Sequence, residues 1–361
     1  MDSNSKITHA LLLFLLGSMT IAVNAQEMAQ NHPSGHLSGD HSQHDSGSTP
    51  HVHHAHQAGS WMVEYTYMRM EMEDLLDGTD DVSPGEVTAM PSMGGFGFLM
   101  SPESMTMDMH MVMAMYGITD QVTLMGMLNY LDLEMDMVAA NGDESKMSTS
   151  GIGDTLLGAM YSLNPAWTLS LGLSVPTGSI DEEGDMDMGA MTMTDVTLPY
   201  PMQLGSGTYD LIPSVTYNWH HNDWTAGGQF SYTYRIGEND NDYTLGDRAE
   251  ASAWLKRKLI PNLMVSGQLN YADWGNIDGA DEDIPQTMVM MNNIMKTSPT
   301  ADPDLQGGSR MDLLLGVNAM FGHGHSLGLN YGVPIMQDLD GPQMKTDNLL
   351  SIWYRYSAIA M

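Results

Sequence analysis

Trp167-Thr168-Leu169-Ser170-Leu171-Gly172-Leu173-Ser174-Val175 is the stretch that decides the fold. Successive side chains of an extended chain point to opposite sides, so Trp167, Leu169, Leu171, Leu173 and Val175 make an apolar face and Thr168, Ser170, Gly172 and Ser174 a polar one. A tight link, Asn164-Pro165, lies before the segment and a long one, 177–207, follows it. Working outward, twelve such segments can be read near 61–72, 104–116, 121–136, 150–162, 166–176, 208–219, 224–236, 247–258, 263–274, 310–321, 325–334 and 348–356. Short links at 117–120, 164–165, 220–223, 260–262 and 322–324 alternate with long ones at 73–103, 137–149, 177–207, 237–246, 275–309 and 335–347. That alternation predicts an all-β fold, a transmembrane antiparallel up-and-down β-barrel of about 12 strands with short periplasmic turns and long extracellular loops.

Other segments repeat the two-faced pattern. Trp224, Ala226, Phe230, Tyr232 and Tyr234 oppose Thr225, Gln229, Ser231, Thr233 and Arg235, and Met311, Leu313, Leu315 and Val317 oppose Arg310, Asp312, Gly316 and Asn318. Aromatic residues fall at both ends, as membrane interfaces require. Trp61, Tyr116, Tyr161, Trp167, Trp219, Trp224, Phe321 and Tyr356 sit at the short-turn end, and Tyr130, Tyr209, Tyr234, Tyr271, Trp274 and Tyr331 at the long-loop end.

Composition narrows the setting. Residues 10–23 form an apolar run too short to span a bilayer, followed by Val23-Asn24-Ala25, which reads as a signal peptide over 1–25. Residues 26–60, rich in His, Ser, Gly, Gln and Asp, lack the apolar side chains to fold alone and read as a disordered His-rich periplasmic arm. Residues 61–361 are then the barrel, placed in the bacterial outer membrane. Its expected partners are outer-membrane lipid, the barrel-assembly machinery and a small solute or metal ion. Zero cysteines exclude disulfides and thiolate chemistry. The net charge of −33, carried largely by loop acids such as Asp74, Asp181, Glu182, Glu183, Asp281 and Glu282, argues against nucleic acid.

From Trp61 onward the chain resembles the outer-membrane barrels grouped as the "MetA-pathway of phenol degradation" family. The resemblance is carried by loop strings: Leu198–Asp210 (Leu-Pro-Tyr-Pro-Met-Gln-Leu-Gly-Ser-Gly-Thr-Tyr-Asp), Gly237–Tyr243, Trp274–Asp281, Thr300–Leu305 and Gln337–Pro342. It implies a membrane channel fold and a transport role, without fixing the substrate.

Two residue types could carry chemistry. There are 37 methionines, and Met105, Met107, Met109, Met111, Met113 and Met115 alternate without a gap, as do Met68, Met70 and Met72. Thioether sulfur is a soft ligand that selects Cu(I), and Met-x-Met in a strand sets two sulfurs on one face. Because Asp108 and His110 occupy the opposite face, the 105–115 methionines are expected to face the acyl chains. Met68, Met70 and Met72 are expected to face the lumen. Histidines gather in the arm (His51, His53, His54, His56) and in two short turns (His220, His221, His323, His325), all at the periplasmic end, where imidazoles could hold copper or another transition metal.

The remaining expectations concern charge. Acidic extracellular loops such as Glu238–Asp242 and Asp302-Pro303-Asp304 could take Ca²⁺. Lumen charges are expected at Glu64, Asp108, His110, Asp154, Arg235, Glu250, Arg310 and Asp312. The leading expectation is a narrow channel handling copper through the arm and Met-x-Met pairs. The alternative is uptake of small hydrophobic or aromatic compounds. No catalytic residue is marked, since Asp108 and His110 have no serine nucleophile beside them.

Overall fold

Alternating side chains become paired ladders in the computed structural model, which describes residues 56–187, 192–290 and 293–358. In chain order the strands are β1 (Trp61–Gly78), β2 (Asp80–Val82), β3 (Met100–Gly117), β4 (Val122–Ala139), β5 (Glu144–Ile152), β6 (Thr155–Asn164), β7 (Trp167–Val175), β8 (Glu183–Asp187), β9 (Thr192–Thr197) and β10 (Tyr209–His221). They continue as β11 (Trp224–Ile236), β12 (Tyr243–Thr244), β13 (Arg248–Ile260), β14 (Leu263–Trp274), β15 (Asp278–Gly279), β16 (Thr287–Met290), β17 (Asn293–Lys296), β18 (Gly308–Phe321) and β19 (His325–Ala358).

Eleven of these close a ring in the order β1-β3-β4-β6-β7-β10-β11-β13-β14-β18-β19, and β19 returns to β1 with Trp61 opposite Ala358 and Met70 opposite Leu349. Every ring pairing is antiparallel. β2 and β5 bond outside the ring, to β1 and β4. β19 pairs with β18 through its first part and with β1 through its second, while Ser357 N donates to Gly324 O at 2.8 Å and Asn330 Nδ2 to Ser351 Oγ at 3.1 Å. It therefore doubles back, near Gly341, whose φ of 102° suits a residue without Cβ. That one element supplies two crossings, which gives the twelve expected from sequence. Among the described residues no helix is long and apolar enough to cross a membrane.

The outer surface is the apolar one. Leu124, Leu157, Leu169, Leu171, Leu255, Leu315 and Leu329 are exposed there, and Trp61, Tyr116, Trp167, Trp219 and Trp224 form the belt at the short-turn end. Exposure that would be costly in water is favourable against acyl chains, so the face pattern is that of a barrel in lipid.

The long links differ from simple loops. β4 and β5 fill most of 137–149 and meet in a turn at Gly142, while 335–347 lies within β19. The remaining long links fold inward as a cap. Leu198, Met202 and Leu204 from 177–207 are buried against Met100, Met105, Met135 and Met137, and Tyr200, Tyr243, Ile277, Ile284 and Ala301 make a second cluster drawn from three links. β12 pairs with β15, and Asn241 Nδ2 donates to Asp181 and Asp281, both at 2.9 Å, so loops far apart in sequence are tied together.

Candidate functional site

The lumen is the candidate site, and its two walls differ in chemistry. One wall is methionine. Met105, Met111, Met113 and Met115 on β3 are buried, with Met62 on β1, Met127 and Met135 on β4 and Met160 on β6. Cross-strand register sets them opposite one another: Met62 faces Met115, Met68 faces Met109, Met70 faces Met107, Met72 faces Met105 and Met113 faces Met127. Directly opposed residues share a face, with Cβ atoms roughly 4.5–5.5 Å apart. Met109 packs against both the cap-side cluster and the cluster reaching the short-turn end, so the apolar wall is continuous along the barrel.

This reverses the expectation for β3. Met105–Met115 face inward, and Asp108 and His110, expected in the lumen, lie on the outer surface with the exposed Val112 and Tyr116. Asp108 is held there by Arg69 Nε at 2.8 Å, Arg69 Nη2 at 2.6 Å and the Tyr67 hydroxyl at 2.6 Å, while His110 Nδ1 lies 2.8 Å from the Tyr65 hydroxyl. Asp108 stands just beyond the His110–Tyr130 pair of the long-loop belt, where the adjacent guanidinium neutralises the carboxylate. Sequence reasoning took polar for inward. The signal that would have corrected it is parity with Tyr116, a belt residue opposite Trp61.

The other wall is polar. Arg355 reaches Glu64 at 2.5 and 2.7 Å, with both side chains over nine-tenths buried. Arg310 is paired with Asp312 at 3.0 Å, Arg248 with Glu250 at 2.9 Å, and Arg235 with Asp210. Asp154 is no open lumen charge, because it accepts from Gly178 N, Ser206 N and Ser206 Oγ and so anchors the 177–207 link. Trp254 and Trp353 lie over glycines of neighbouring strands, where a Cβ on Gly227 or Gly328 would come within 2.5 or 2.2 Å of the indole. Lys256 and Arg355 stack on those rings at 5.7 and 5.2 Å. The walls meet where Arg310 Nη1 and Thr346 Oγ1 each lie 3.7 Å from Met70 Sδ. Between them is a cavity of about 90 Å³, lined by Met125, Leu156 and Met160 on one side and Ser170, Gln229 and Glu250 on the other.

Among the described residues the histidines do not converge. His51, His53 and His54 lie outside the described residues. His56 is buried at the short-turn mouth, its N donating to Thr123 Oγ1 at 2.7 Å. His221 stacks on Trp219, His220 lies 3.1 Å from Thr225 Oγ1, and His325 Nδ1 lies 2.7 Å from the Tyr354 hydroxyl, on hairpins three ring positions apart. Among the described residues no three His, Cys, Asp or Glu side chains come together to hold a metal, in the acidic loops or elsewhere.

The family model "MetA-pathway of phenol degradation" matches residues 109–285. A crystallised outer membrane channel from Pseudomonas putida F1 superimposes with a TM-score of 0.56 at 15% identity, covering 86% of this chain and 99% of that one. The chain is a bacterial outer-membrane β-barrel. The barrel also resembles, at a TM-score of 0.45 and 8% identity, the P. putida toluene transporter TodX, over 84% of this chain and 91% of that one. A search of curated proteins finds no match.

Proposed function

We propose that the barrel is a channel for uptake of small hydrophobic or aromatic compounds across the outer membrane. The observation that carries this reading is the continuous methionine wall, which offers an apolar solute a path from the cap to the periplasmic mouth. Thioethers are flexible and make favourable contacts with aromatic rings, so such a wall accommodates rings of different shape without a rigid pocket. The family's description, phenol degradation, points the same way. A cavity of about 90 Å³ is well below the roughly 300–1,000 Å³ of drug-sized sites, so the solute is small or the methionines move to admit it.

Capture of copper or another transition metal by the arm is a second reading. It is favoured by His56, which brings the end of the His-rich segment to the lumen mouth.

The test is permeation into liposomes carrying the refolded barrel. Phenol or toluene should enter faster than glycerol, and Met111→Asp with Met113→Asp should slow the aromatics selectively. Equal entry of glycerol, with no gain for aromatics over empty liposomes, would overturn the uptake reading.

A further inference from the structure

Methionine is segregated between the two faces of the barrel, and that segregation is what packing alone does not explain. On the lipid side the ring strands use mainly Leu, Val, Ile and aromatic residues, with the opposed Met311 and Met336 as exceptions; among the exposed large apolar side chains of the described residues only Met90, Met93 and Met336 are methionines. Were methionine a general apolar filler, both faces would carry it. Leu or Ile would also pack an interior with better-defined rotamers than Met.

The register goes further than segregation. Met72 on β1 is opposite Met105 on β3, Met105 is opposite Met135 on β4, and Met135 is opposite Met147 on β5. Four adjacent strands thus set four thioethers in one row, with Met70 and Met107 opposed in the neighbouring row. Met105, Met135 and Met147 are each at most 3% exposed, and Met72 is partly buried against them.

We propose that this row is a binding site for a soft monovalent metal ion, Cu(I), at the head of the thioether wall. Thioether sulfur prefers Cu(I) over the harder divalent ions, which want imidazole or oxygen. A neutral sulfur set suits a single positive charge. Dry, apolar surroundings exclude competing water. The wall then gives the ion further sulfurs at Met70 and Met107 as it leaves the row. The proposal needs neither an aromatic solute nor the histidines of the arm, so it can fail while the uptake reading stands.

The experiment is X-ray absorption at the copper edge on the full mature chain, refolded in detergent and loaded anaerobically with one equivalent of Cu(I). A sulfur-dominated first shell is expected. It should be lost in the triple variant Met105→Leu, Met135→Leu and Met147→Leu, whose volumes are nearly conserved. It should be kept in a variant with His51, His53, His54 and His56 changed to Ala. A shell of nitrogen and oxygen alone in the unaltered protein, or a sulfur shell untouched by the triple change, overturns the proposal. Heat-modifiable gel mobility reports whether the triple variant has folded. Should it not, Met105→Leu alone is expected to weaken Cu(I) retention against a chelator, and unchanged retention overturns the proposal equally.

Discussion

Arg69 grips both oxygens of Asp108 on the outer face of the barrel, Nε to Oδ1 at 2.8 Å and Nη2 to Oδ2 at 2.6 Å. Asp108 pairs with Asp132, two residues beyond the His110–Tyr130 pair of the long-loop belt, so the ion pair stands at the membrane rim. Arg69→Leu should cost about 0.2–1 kcal/mol, the usual worth of a part-exposed ion pair. Adding Asp108→Leu should cost little more, because a part-exposed pair is removed as a unit. Urea unfolding in lipid vesicles reads both. A single variant destabilised by more than about 2 kcal/mol would place the pair inside the apolar band instead.

Glu64 and Arg355 form the corresponding pair inside. Glu64→Ala leaves a buried guanidinium without its counter-charge, a loss of about 3–5 kcal/mol where such a pair is dry. The freed positive charge should also shift ion selectivity toward anions. Reversal potentials in planar bilayers under a salt gradient measure that shift, and no change would mean the pair lies off the conduction path.

Gly328 gives Trp353 a surface to lie on. A Cβ there would stand 2.2 Å from the indole Cε2, so Gly328→Ala must push the ring off the wall into the lumen. The expected results are a loss of about 1–3 kcal/mol from overpacking and a smaller single-channel conductance. Gly227→Ala beneath Trp254 should behave alike.

The cap should respond to alkali. Burial raises the phenols of Tyr200 and Tyr243 above their ordinary value of 10.0, and the two rings meet edge to face at 5.1 Å. A group whose folded pKa is raised gives its full stabilisation below the unfolded value and loses it as pH rises through the folded one. The cap is therefore intact up to about pH 10 and loosens above it. Proteolysis of loops 177–207 and 237–246 as a function of pH tests this, and Tyr243→Phe should move the onset upward.

Much of the architecture was legible in Trp167–Val175 and segments like it. Period two and the short-turn belt follow from local geometry and from the bilayer, and the barrel keeps both, whereas 137–149 and 335–347, read as long links, are largely strand. β3 was the exception. Its alternation was plain, but alternation alone says only that two faces differ. Which face is inward was inferred from Asp108 and His110, and their partners Arg69, Tyr67 and Tyr65 are on another strand, 39 to 45 residues away.

The sequence by itself determined the ring strands, their number of crossings, the absence of cysteine chemistry and the membrane class, because each rests on side chains a few residues apart or on composition. Tertiary structure alone decided which face of β3 lines the lumen, that 177–207 folds in as a cap, and that Met72, Met105, Met135 and Met147 share a row. Those facts depend on strand register. A shift of one residue turns every side chain to the other face, and register is set by pairing between segments that the linear sequence keeps apart.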